Sequence, residues 1–395
     1  MSARMQVSNS WSSWLSATLV VVCLLFGAAG CAPEATQQVG QATPSPLQST
    51  PIPLPIPTAI PSPTAASAAV FSYVFGESCQ PNPDGTASRC LVLANGELKE
   101  VDLRAHITQF YDYAPATHRI LFGSLQPGQP VGLGFYGAND LQVLDVASGE
   151  VETLVKEQLV VRALWAPIGR DLVYHRAATA TYELLWRSAS GDERLLAANL
   201  PPVFGFAPSG NEVVFTRESN PPLNSVPGIY SVSVDNGNER QLSNVDRAGE
   251  GVWGDRPLWS GDGQYFFLAV KGELYLFAAD GSLSSPVYYD PSLASQPWFR
   301  LPQDVPPDKF NPPPSGPILW HPDGHHFIGS AYLSEGGESK EVMLYDLHLA
   351  SRRIVSGTVL AEEGTLITWD KVGQSVWIQA SSGGRPEVKS VPLPP

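Results

Sequence analysis

Charge is what this sequence has least of: only 16% of its 395 residues are Asp, Glu, Lys or Arg. Helical bundles and coiled coils carry charge along most of their outer faces, so this scarcity argues against both. No apolar run reaches the roughly 20 residues of a comfortable membrane span; the longest stretch of that kind, Leu15 to Phe26, is shorter. Motifs of familiar chemistries are missing too. There is no Gly-x-Ser-x-Gly nucleophile elbow, no phosphate-binding loop, and no turn with the alternating acidic ligands of an EF-hand. The usual signatures of a serine hydrolase, a nucleotide-dependent enzyme and a calcium sensor are therefore absent. Cysteine is scarce as well, at four residues.

What the chain does have is turns: 35 glycines and 37 prolines. Many of them fall in one recurring phrase. Trp320, His321, Pro322, Asp323 and Gly324 lead into His325, His326, Phe327 and Ile328. Trp259, Ser260, Gly261, Asp262 and Gly263 lead into Tyr265 to Val270. Further copies start at Trp165 and Phe206, and more divergent ones at Tyr113 and Trp369. Pro fixes φ where the chain turns, and Gly supplies the positive φ that closes the turn. The residues that follow are β-branched or aromatic, as suits a strand packed on both faces. The six aromatic anchors lie 41 to 61 residues apart, the range of one propeller blade. Each anchor is expected to wedge between successive blades as a structural residue.

The phrase resembles the Trp-Ser-Pro-Asp-Gly repeats of TolB-type propellers, which also occur in the propeller domains of prolyl oligopeptidase-like enzymes. The resemblance covers about residues 105–380. It implies an all-β fold, a β-propeller of four-stranded blades. It implies no particular activity, because such repeats serve scaffolding, binding and gating alike. Since the chain stops after the last copy, no hydrolase domain is expected beside the propeller. Tight third-to-fourth strand turns at Ser148-Gly149, Ser190-Gly191, Asn236-Gly237 and Asp280-Gly281 add hairpin signals. Six phrases and one phrase-less first unit point to seven blades, with six or eight as alternatives. The first unit is expected to lack an inner strand and the last an outer one, so the ring could close by sharing strands.

Three segments are expected along the chain. Residues 1–30 read as an export signal, with Arg4, a short apolar core, and Ala28, Ala29 and Gly30 directly before Cys31. That ending resembles a bacterial lipobox and would make Cys31 the lipidated N-terminus. Residues 31–69 read as a lipid-anchored linker rich in Pro, Thr and Ser. Eight prolines fall between Pro44 and Pro63 without one charge, and such a polyproline II spacer could reach roughly 60 Å. Residues 70–395 would form the propeller. The expected location is extracytoplasmic, on a bacterial envelope membrane through the lipid alone. Cys79 and Cys90 remain as one pair, which in an oxidising compartment is usually a disulfide. Losing residues 1–30 removes one Arg and no acid, taking the net charge from −14 to −15. That balance argues against nucleic acid as a partner.

The second-to-third strand connections and the blade-to-blade connections share one rim of a propeller, and nearly all insertions fall there. They are Ser124 to Asp140, Glu218 to Gly228, Ser243 to Arg256, Pro286 to Pro317, and Tyr332 to Lys340. Long loops on a rigid scaffold are where binding usually lives. The longest carries Tyr288, Tyr289, Trp298, Phe299 and Arg300, and Phe135, Tyr136, Trp253 and Arg256 could join them. The alternative is that these rings only pack their loops onto the blades. No cofactor is called for. His321, His325 and His326 surround the Asp323 turn at a spacing that matches no known metal site, and they are expected to be solvated. The leading expectation is a non-catalytic module that binds an envelope protein or polysaccharide. The other is a propeller enzyme acting on a glycan or lactone, with Asp290, Asp304 and Asp308 as its nearest acids.

Overall fold

Strands form where the sequence alternates side chains between two buried faces. The computed structural model describes residues 71–124, 140–167, 170–177, 182–199, 203–217, 226–246, 256–296, 299, 318–332, 340–362, 364–369, 374–382 and 385–394. They make seven antiparallel up-and-down sheets, the blades of a seven-bladed β-propeller. Blade 2 runs Gln109–Ala114, Arg119–Ser124, Asp140–Asp145 and Val151–Val155 from hub to edge. Blades 3, 4 and 5 repeat that order from inner strands Val160–Trp165, Phe204–Phe206 and Leu258–Trp259. Blade 6 starts at Leu319–Trp320 and blade 7 at Thr365–Trp369. The one described helical element is a 3-10 turn at Pro291–Ser295.

The turns work as their residues suggest. Gly263 and Gly324 have φ of 69° and 75°. Asp262 Oδ1 accepts from the Gln264 N–H at 3.0 Å and from Ser260 Oγ at 2.6 Å. Asp323 Oδ1 accepts from the N–H groups of His325 and His326 at 2.8 and 3.0 Å. Desolvation pushes the Asp262 carboxyl up, but these hydrogen bonds outweigh it and hold the group below its ordinary range.

The core is divided among the seams. Six buried apolar clusters each lie between consecutive blades, from the 1/2 seam to the 6/7 seam. Strand alternation feeds them: Phe267 enters the 5/6 cluster, while Phe266 and Leu268 enter the 4/5 cluster. A blade alone could bury neither face, so each seam depends on its neighbours.

The ends of the ring differ from its middle. Blade 1 consists of Phe71–Pro81, Ser88–Ala94 and Glu97–Leu103. Phe71 lies beside Tyr113, at the end of blade 2's inner strand, while Gly76 lies against Phe110 near that strand's start. Phe71–Pro81 therefore runs opposite to the inner strands, and blade 1 begins at the second position. Among the described residues it has no inner strand, and blade 7 has no outer one. Blades 1 and 7 remain separate sheets with no ladder between them, so strand sharing does not close the described ring. Closure is by packing: a Cβ on Gly96 would stand 2.9 Å from the Trp377 ring. Cys79 and Cys90 are disulfide-bonded, tying the first two strands of blade 1 together.

One strand was not legible in the sequence. Tyr288–Tyr289 leaves the edge of blade 5 and pairs in parallel with Arg353 and Ile354 on the outer strand of blade 6. The start of the longest insertion is thus a strap across two blades.

Candidate functional site

The inner strands converge on the hub, and their closing aromatics bind the ring together there. Tyr113 Oη donates to the Phe71 carbonyl of blade 1 at 3.0 Å. Trp320 Nε1 donates to the Leu258 carbonyl of blade 5, and Trp369 Nε1 to the Trp320 carbonyl of blade 6, both at 2.8 Å. Trp165 reaches back through its main chain, its N–H donating to Asp112 Oδ2 at 3.0 Å. The indole nitrogens of Trp165 and Trp259 are buried with no acceptor among the described residues. Phe206 is buried in the 3/4 seam.

These same anchors line a hub cavity of about 380 Å³. Trp165, Phe206, Trp259, Trp320 and Trp369 supply its rings, and Pro167 and Pro208 of the first turns edge one end. Asp112 of blade 2 and Arg256, just before blade 5's inner strand, are its ionisable groups. Desolvation raises the Asp112 carboxyl above its ordinary range. The Arg256 charge, the N–H groups of Trp165 and Tyr113, and the Arg162 charge oppose that rise without cancelling it. Arg162 is itself held over the Phe204 ring at 5.4 Å. The site thus combines flat apolar surface with one acid and one guanidinium, suited to holding a ligand that has both ring-sized apolar faces and polar groups.

The residues proposed from sequence fare unequally. Arg256 is brought to the hub and is exposed there. Tyr289 and Phe299 are not surface anchors. They are 4% and 9% exposed in the 5/6 core, packed edge to face at 4.9 Å, with Tyr289 Oη donating to Tyr345 Oη at 3.4 Å. Phe299 packs on Tyr289 of the strap, so the apolar area of both rings goes to the seam. Tyr288 is half-buried in the strap. Asp290 caps the 3-10 turn, accepting from the Ser292 N–H at 3.0 Å and its hydroxyl at 2.6 Å. Cys31, Phe135, Tyr136, Trp253, Trp298, Arg300, Asp304 and Asp308 lie outside the described residues. Sequence reasoning missed Asp112. Its one visible signal was a carboxylate among Phe110, Tyr111 and Tyr113 on an inner strand.

No family profile and no curated protein matches the sequence. Solved structures align with it at low identity. A puromycin-hydrolysing peptidase from Mycobacterium tuberculosis is 14% identical, with a TM-score of 0.48, over 80% of this chain and 48% of its own. This chain thus spans about half the length of that peptidase. A protein assigned as TolB from Agrobacterium tumefaciens is 15% identical, with a TM-score of 0.40, over 75% of this chain and 95% of its own. NirN, a dihydro-heme d1 dehydrogenase, is 14% identical, with a TM-score of 0.46, over 80% and 65%. Their activities differ among themselves and none is carried over to this chain.

Proposed function

We propose that this chain is a cell-envelope lipoprotein that works by binding rather than by catalysis. Cys31 would carry the lipid, the Pro-rich segment would hold the propeller away from the membrane, and the hub would take a segment of an envelope protein or polysaccharide. The observation that carries this reading is the hub cavity, which five aromatic anchors and the exposed Arg256 line together. Aromatic and Arg side chains are the residue types that most often dominate binding energy. In-cell crosslinking and recovery of the full lipoprotein, beside its Arg256→Ala variant, tests it. A specific partner that is recovered with the parent and lost with the variant supports the reading. Equal recovery with both refutes the assignment to the hub.

One observation favours an enzyme acting on a glycan or lactone instead. Asp112 is a carboxyl with a raised pKa in a cavity, the kind of group that can serve as a general acid. Turnover of an envelope glycan or a lactone, abolished by Asp112→Asn, would move the assignment there.

A further inference from the structure

The turn between the first two strands of blade 6 gathers three side chains of metal-ligand type that its sequence spacing does not advertise. His321 Nδ1 lies 2.8 Å from Asp323 Oδ2, and His326 Nδ1 lies 2.6 Å from the same oxygen. All three ligand atoms fall within 4.8 Å of one another. The arrangement is fixed by the turn. His321 and His326 are joined through a main-chain N–H to carbonyl bond of 2.8 Å, and the Gly324 N–H returns to the His321 carbonyl at 3.1 Å. Asp323 commits Oδ1 to two main-chain N–H groups, which aims Oδ2 between the two rings. The His321 ring rests edge-on against Trp369 at 5.2 Å. The three side chains are 22%, 36% and 39% exposed, so an ion could reach them from solution.

We propose that His321, Asp323 and His326 form a binding site for a divalent transition-metal ion of the zinc class, with an open fourth position. Two imidazole nitrogens and one carboxylate oxygen are a zinc-type donor set, and a site with three protein ligands keeps a position for water or an outside ligand. With metal–ligand bonds of roughly 2.0–2.2 Å, tetrahedral donor atoms stand roughly 3.3 Å apart. The two nitrogen-to-oxygen contacts, now 2.8 and 2.6 Å, need open by only about 0.5 and 0.7 Å. The neighbouring turn of blade 5 brings Asp262 to the same edge, its Oδ2 lying 3.6 Å from where a Gly324 side chain would begin. Of the three histidines of the turn that are expected from sequence to be solvated, His325 is exposed, while His321 and His326 are half-buried on either side of Asp323. Only the folded turn reveals that residues 321, 323 and 326 converge. The inference does not depend on what the hub binds.

Calorimetric titration of the full-length protein with zinc chloride tests it, after stripping with chelator and with no polyhistidine tag present. The expected result is one zinc per chain, lost in His321→Ala and in His326→Ala and kept in His348→Ala. His348 is an exposed histidine at the near end of the next strand of that blade, outside the group of three converging side chains and bonded to Ser351 at 2.8 Å. Thermal unfolding of the metal-free variants checks that they fold; both replaced rings are partly exposed, so midpoints close to the parent's are expected. No saturable zinc binding by the parent overturns the proposal. So does zinc binding that both folded variants retain.

Discussion

Replacing Trp320 by Phe should cost far more than the same change at Trp259, although both are hub anchors of the same repeat. At position 320 the substitution keeps a ring stacked on Phe267, now 4.4 Å away and inclined by 16°. It removes the Nε1–H that donates to the Leu258 carbonyl at 2.8 Å. Losing this part-buried bond costs about 0.5–1.5 kcal/mol, and the smaller ring forfeits roughly 1 kcal/mol of apolar burial. The sum is about 1.5–2.5 kcal/mol. At position 259 the indole N–H is buried with no acceptor among the described residues. Phe there loses the same area but relieves an unsatisfied donor, so the two effects roughly cancel. Trp165→Phe should behave like Trp259→Phe, and Trp369→Phe like Trp320→Phe. Urea unfolding of the four variants, followed by circular dichroism, measures the contrast. Equal losses at all four positions would refute the claim that indole-to-carbonyl bonds stitch the blades at the hub.

Two further outcomes follow from particular contacts. Cys90→Ser should lower stability by about 2–3 kcal/mol, because the Cys79–Cys90 bond closes a loop of 11 residues; thermal unfolding with and without reductant would give matching shifts only for the parent. Alkaline pH should destabilise the fold, since burial pushes the Tyr113 and Tyr289 hydroxyls up to about 12 and raises Tyr345 further. Unfolded tyrosines ionise near pH 10 while the folded ones stay protonated. The stability they contribute is therefore full below pH 10 and is lost above it, by up to about 1.4 kcal/mol per pH unit for each. Denaturant midpoints from pH 8 to 12 would show this, and a flat profile would contradict it.

Much of the fold is legible in the sequence because its signals are local. The Gly263 and Gly324 turns, the Asp caps and the alternating runs such as Tyr265–Val270 sit within a few residues of each other, so a linear reading finds them. The phase of the ring ends is legible for the same reason: the first unit has no anchor phrase, and Phe71–Pro81 indeed stands in the second position. What fails is pairing at a distance. The Tyr288–Tyr289 strap depends on Arg353 and Ile354, so the loop reads as a binding loop when its Tyr289 and Phe299 in fact fill a seam. Asp112 acquires its meaning from Trp165, 53 residues on, and from Arg256 across the hub. Neither relation leaves a periodicity. The His321, Asp323 and His326 group is local, yet its convergence depends on a turn geometry that spacing alone does not convey.

The hub assignment is tested most directly by asking where a partner touches the propeller. A photo-crosslinking residue would be placed at Pro208, which lines the hub cavity, and separately at Val359, exposed on the outer strand of blade 6. Both forms of the full-length protein would be irradiated in cells and their adducts mapped. A specific adduct is expected from position 208 and none from position 359. Capture at 359 with none at 208 would contradict it and move the binding surface to the outside of the ring.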